Sequence, residues 1–121
     1  MLINLSNHPI SKWSSNQIYA ASKYGEIKDL SFPIIDPLAD TKSVYKIVKD
    51  YEKKILEIFN KETGIRVVHL MGELSFCFML ADILKKEKIL CVVSTTKRIV
   101  QEYSNGNKTS RFEFIRFRNY W

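Results

Sequence analysis

Three short runs of apolar, largely β-branched residues recur along the chain: "LINLS" at 2–6, "IRVVHLM" at 65–71 and "ILCVVS" at 89–94. Each is too short for a buried helix and too continuous for a strand with one wet face. Strands buried on both faces belong in a mainly parallel sheet with helices on either side. This feature narrows the fold class more than any other.

The intervening segments supply the helices. Pro9 keeps the residue before it out of helical geometry and ends the first run. Ser11 or Ser14 then caps a helix through about Tyr24, closing on Gly25. "EIKDLSFP" reads as a weak second strand, and "IIDPLAD" as a loop held by Pro33 and Pro37. Val44, Ile47, Val48, Tyr51, Ile55, Ile58 and Phe59 follow helical spacing with lysines opposite; Asp40 or Thr41 caps this helix and Gly64 ends it. "ELSFCFMLADILKKEK" is a helix with a basic last turn, which suits its dipole. "ILCVVS" is then the fourth strand. "RIVQEYSNGNKTSRFEFIRFR" follows as two strands about a turn at Asn105-Gly106, with Phe112, Phe114 and Phe117 set against Arg111, Glu113 and Arg116. The expectation is a single domain over 1–121, an α/β sandwich with a mainly parallel sheet and a C-terminal β-hairpin.

Composition bounds the partners. The net charge of +6 suits an anionic ligand such as a nucleotide, and is also common in ordinary proteins. Cys77 and Cys91 sit inside apolar runs and no leader sequence is evident, which points to a reducing, cytoplasmic setting. His8 and His69 lack the spaced partners of a metal site, so no metal or cofactor is expected. No stretch approaches the roughly 20 apolar residues of a membrane span.

Ligands of open α/β sheets bind outside the carboxyl ends of the strands. Those ends read Ser6-Asn7-His8, Phe32-Pro33, Met71-Gly72-Glu73 and Ser94-Thr95-Thr96-Lys97-Arg98. The serine and threonines suit phosphate, with Lys97 or Arg98 to neutralise it; the plain alternative is a polar turn leading into the hairpin. Gly72 leaves room for a ligand at the backbone amides of a helix start. Glu73 is either a ligand or catalytic group or a favourable charge on the helix dipole. His8 can act as general acid or base, or serve as a turn residue. His69, among apolar neighbours, reads as a satisfied core residue. Trp13 and Gln17 fall one turn apart on the first helix; Trp13 can stack on a base or pack in the core. The basic hairpin residues Lys108, Arg111, Arg116 and Arg118 form a solvated face or a contact surface.

The set "NLSNHP", "FPIIDP", "VHLMGE", "STTKR" and "FEFIRFRNY", in this order, resembles a small family encoded beside type III CRISPR systems: compact Rossmann-like proteins related to the CARF domain, some of them ring nucleases. The resemblance spans nearly the whole chain. It implies a Rossmann-like three-layer sandwich and a homodimer that binds cyclic oligoadenylate across its two-fold axis. It further implies metal-independent cleavage of the ring, cyclic tetra-adenylate first, by attack of the ribose 2′-hydroxyl, which switches antiviral signalling off. By analogy, Asn7, His8, Ser94, Thr95, Thr96, Lys97 and Arg98 hold the ligand, and Trp13 and Gly72 join the ligand-binding set on their own chemistry. Lys97 or Arg98 stabilises the phosphorane, and His8 or Glu73 handles the proton. No effector domain follows the sandwich, so the chain itself must degrade, sequester or report the ligand. Duplex DNA is not an expected partner.

A non-catalytic module that holds the nucleotide as a sponge or sensor fits the same residues. A protein–protein adaptor built on the basic, aromatic hairpin is a third reading. Phe117, Tyr120 and Trp121 are the aromatics a dimer partner would bury.

Overall fold

The computed structural model describes residues 1–121. Its elements run β1 (Leu2–Ser6), a 3-10 turn (Ile10–Lys12), α1 (Ser15–Ser22), β2 (Ile27–Asp29), α2 (Thr41–Phe59), β3 (Val67–Met71), α3 (Leu74–Lys86), β4 (Leu90–Glu102) and β5 (Lys108–Asn119). One five-stranded sheet has the order β2-β1-β3-β4-β5. β2, β1, β3 and β4 are parallel, and β5 is antiparallel to β4. This is a mixed α/β fold with a mainly parallel sheet.

The continuous apolar runs are the buried strands. All five residues of β1 are buried, because helices lie on both sides of it. Ile3, Leu5, Val68, Leu70 and Cys91 face one side, where α2 and α3 pack through Val48, Ile55, Phe59, Phe76 and Leu80. Leu2, Val67 and Val92 face the other side, where Ala21 of α1 meets Phe114 and Phe117 of β5.

Capping sets the helix starts. Ser14, one of the two serines considered, accepts from the Gln17 amide at 3.2 Å. Trp13 therefore lies just before α1 rather than on it. Asp40 caps α2, accepting from the Ser43 amide at 2.8 Å, and that bond holds its carboxyl below the usual range. α2 stops at Phe59, five residues short of Gly64, which instead takes φ +100° in the turn before β3. Its amphipathic stripe ends at Phe59, so nothing remains to hold a further turn on the sheet.

The main departure from expectation is at the C-terminus. The fourth strand and the first strand of the hairpin are one 13-residue strand, β4. Its parallel partner β3 ends at Met71, level with Ser94, yet β4 continues because β5 pairs it from Val92 to Glu102. "STTKR" is therefore strand, not a strand end, and from Thr96 outward it is exposed. The β-branched threonines tolerate the extended backbone without a break. The turn lies where Asn105-Gly106 puts it, with Gly106 at φ +85°. A bulge opposite Thr95 and Thr96 leaves Ile115 unpaired. That extra residue returns Phe114 and Phe117, three apart, to the same buried face. Phe117 is consequently covered by its own chain, contrary to a role in burying a partner, whereas Tyr120 and Trp121 stay partly exposed.

Candidate functional site

Two even positions of β1, Asn4 and Ser6, are polar in an otherwise apolar strand. Asn4 and Ser6 share the α1 face with Leu2, and Asn4 pairs in register with His69 of β3. Asn4 is 1% exposed and His69 1%. Buried polar groups at such depth need partners, and here each one has them.

The partners form a chain of hydrogen bonds. The Asn4 side-chain NH2 donates to Asp29 Oδ1 at 2.8 Å and to the His8 carbonyl at 2.8 Å. Two acceptors on that side fix the orientation of the amide. Asn4 Oδ1 then accepts from the Ser6 hydroxyl at 2.8 Å and faces His69 Nδ1 at 2.8 Å. An oxygen acceptor there means His69 carries its proton on Nδ1, leaving Nε2 as the acceptor. The Ser94 hydroxyl donates to Nε2 at 2.8 Å and accepts from the Gln17 side-chain amide at 3.1 Å. Burial, with the His8 imidazole adding a smaller push, lowers His69 to about 4 from its ordinary 6.5. The ring is neutral at neutral pH, with Nε2 accepting from Ser94.

This chain opens into a cavity of about 390 Å3 between the 3-10 turn, the start of α1 and the projecting β4–β5 ribbon. His69, Ser94 and Met71 form its floor, level with the carboxyl ends of the parallel strands. Trp13, Phe112 and Phe114 supply aromatic walls, and His8, Lys12, Ser14, Gln17 and Thr96 supply polar ones. Trp13 is fixed by its indole NH donating to the His8 carbonyl at 3.1 Å and stands edge-on to His69 at 5.3 Å between centroids.

Of the residues singled out from the sequence, His8, Trp13, Ser94 and Thr96 meet at this cavity. Asn7 lines a neighbouring hollow of about 330 Å3 with Ser6, Asp29 and Phe32. Thr95 is spent on the ribbon: its hydroxyl donates to the Arg116 carbonyl at 3.1 Å and accepts from the Arg116 amide at 3.2 Å. Lys97 and Arg98 are exposed on the ribbon and do not line the cavity.

Gly72 and Glu73 have structural reasons. A Cβ on Gly72 would run into the Phe32 ring, so the space kept free there belongs to Phe32 and not to a ligand. Phe32 in turn packs edge-on against Phe76 at 5.1 Å. Glu73 is the N-cap of α3, accepting from the amides of Ser75 at 3.1 Å and Phe76 at 2.7 Å and from the Ser75 hydroxyl. The Ser75 hydroxyl and the Phe76 amide hold its carboxyl below the usual range.

The sequence reads His69 as a core residue, and it is buried there, but it also forms the floor of the cavity. Lys12, Asn4 and the Gln17–Ser94 contact were missed. Asn4 and Ser6 carried a usable signal: two polar residues at i and i+2 in an apolar strand share one face. The contact between Gln17 and Ser94, 77 residues apart, had none.

Both cysteines are free and buried, and burial pushes each thiol up to about 12. No helix is long and apolar enough to cross a membrane.

The profile of the uncharacterized protein MJ1673 family matches residues 1–118, and the chain belongs to that family. No curated protein matches it, and no solved structure does.

Proposed function

We propose that this member of the MJ1673 family is a stand-alone, Rossmann-like protein of the CARF type that binds cyclic oligoadenylate and opens the ring. The observation that carries this reading is the cavity at the carboxyl edge of the parallel strands. It combines aromatic walls, hydroxyls, two imidazoles and a cation in about 390 Å3, a volume in the range of small-ligand sites. A base stacks on Trp13 or Phe112, a phosphate takes the Lys12 ammonium and the Thr96 hydroxyl, and His8 stands at the rim for the proton.

The reaction asks little of the protein. The ribose 2′-oxygen forms a bond to phosphorus, the bond from phosphorus to the 5′-oxygen breaks, and a 2′,3′-cyclic phosphate remains. The cavity aligns the three atoms. The proton leaving the 2′-hydroxyl passes to His8, the departing 5′-oxygen takes one from solvent water, and His8 then returns its proton to solvent. Glu73 and Gly72, committed to the α3 cap and to Phe32, have no part in it. Lys97 and Arg98 lie outside the cavity and attract the polyanion at longer range. A ring with several equivalent phosphates fits a homodimer whose two cavities face each other, in the cytoplasm.

One observation favours the non-catalytic alternative. Lys12 is the single lysine or arginine lining the cavity, whereas a phosphorane is better stabilised by several donors. Binding without cleavage, as a sponge or sensor, needs only the stacking walls and that one cation.

Incubation with cyclic tetra-adenylate and cyclic hexa-adenylate in EDTA, followed by chromatography, decides between them. Linear fragments ending in a 2′,3′-cyclic phosphate, with His8→Ala slowing their release by about 10²-fold or more, support the ring nuclease. Intact rings that co-elute with the protein support the sponge. Intact, unbound rings, or a protein that light scattering finds monomeric with and without ligand, overturn the reading.

A further inference from the structure

Among the hydroxyls lining the cavity, Ser94 alone is bonded to an imidazole. Ser94 Oγ, His69 Nε2, His69 Nδ1 and Asn4 Oδ1 follow one another at 2.8 Å per hydrogen bond, and Asn4 is held from behind by Asp29 at 2.8 Å. Nucleophile, base and orienting group in hydrogen-bond sequence are how an activated serine is recognised on any fold, and an asparagine in the orienting place is a known variant. We propose that Ser94 is a primed nucleophile and that this cavity hydrolyses a small carboxylic ester through an acyl–Ser94 intermediate.

Three observations hold the parts in place. The His69 ring cannot turn: Asn4 fixes one edge, and Trp13 and Phe117 stand against it at 5.3 and 5.4 Å. Its unprotonated nitrogen points at Ser94, and burial keeps the ring neutral at neutral pH. The Gln17 amide donates to Ser94 Oγ at 3.1 Å and so leaves the hydroxyl proton turned toward His69 Nε2. A hydroxyl kept only to satisfy His69 would not need to face open space, yet Ser94 is half-buried on the cavity floor.

The steps balance. Ser94 Oγ bonds to the carbonyl carbon while its proton passes to His69 Nε2. The bond from that carbon to the leaving alcohol's oxygen breaks, and the alcohol departs with the proton. Water then attacks the acyl–serine and gives a proton to Nε2. Ser94 recovers that proton as the carboxylic acid leaves. This goes beyond ring opening, in which the ligand's own 2′-hydroxyl is the nucleophile and Ser94 does not react.

The native protein is treated with a fluorophosphonate and, separately, with 4-nitrophenyl acetate; adducts are located by peptide mass spectrometry. The same treatment is given to protein unfolded in urea. The expected result is one adduct, on Ser94, formed in the native protein and absent from the unfolded one. His69→Gln slows its formation by about 10²-fold or more, the usual contribution of a general base. Where that variant does not fold, the native-against-unfolded comparison on the natural chain decides alone. No adduct with either reagent overturns the proposal. So do adducts spread over exposed serines such as Ser11 and Ser31 at the same rate in both states.

Discussion

Asn4 and His69 face each other across the parallel β1–β3 pair, with Asn4 Oδ1 2.8 Å from His69 Nδ1, and both side chains are 1% exposed. The amide holds together four groups: the imidazole, the Ser6 hydroxyl, the His8 carbonyl and the Asp29 carboxylate. Asn4→Ala leaves the His69 NH without its partner, whereas the His8 carbonyl keeps the Trp13 indole NH at 3.1 Å. One buried polar group left unpaired costs about 1–3 kcal/mol, so the variant loses about that much. Urea unfolding reads this as a lower midpoint at unchanged slope. A midpoint within error of the natural chain would show that the network carries no stability.

His69 gives the fold a dependence on pH. Its value of about 4 in the folded chain lies below the ordinary 6.5 it regains on unfolding. A group lowered by folding contributes stability that is complete above pH 6.5 and is lost as pH falls toward 4, because the unfolded chain takes up the proton first. The difference corresponds to on the order of 3 kcal/mol. Unfolding free energies at pH 7, 5.5 and 4.5 should therefore decline in that order. The His69 ring protons, followed by NMR, should not titrate above pH 5. A midpoint near 6.5 would mean that the ring is wet and that the Nδ1 assignment fails.

How much of this was legible in the sequence depends on the range of the interaction. β1, β3 and α2 were readable because burial stamps its period on nearby residues, such as Val44, Val48, Tyr51 and Ile55. The Asn105-Gly106 turn was readable because only a few residues accept its backbone. The continuity of β4 was not. "STTKR" looks like a strand end, and what keeps it extended is pairing with β5, up to 23 residues away in the register from Ser94 outward. Gly72 was misread for a similar reason. Its neighbour in space is Phe32, and a glycine making room for a ring looks, in sequence, like a glycine making room for a ligand. The site was half legible: strand-end logic found His8 and Ser94, but the hydrogen bonds that join Ser94 to Gln17 and His69 to Asn4 bridge 77 and 65 residues.

Lys12 is the cation that separates an anion site from a merely polar hollow. It ends the 3-10 turn and lines the cavity, whereas Lys97 and Arg98 lie on the ribbon outside it. A phosphate held directly by Lys12 displaces a counterion, so affinity for an oligoadenylate should fall with salt. Lys12→Ala should flatten the plot of log affinity against log salt by about 0.7, the share of one phosphate contact to a single strand. Lys97→Ala and Arg98→Ala act at longer range and should mainly slow association. Fluorescence titration of a labelled oligoadenylate at several salt concentrations, together with stopped-flow association rates, measures both effects. An unchanged slope in Lys12→Ala would remove the cation from the site. A flattened slope in Lys97→Ala or Arg98→Ala instead would move the phosphate contact out of the cavity and onto the ribbon.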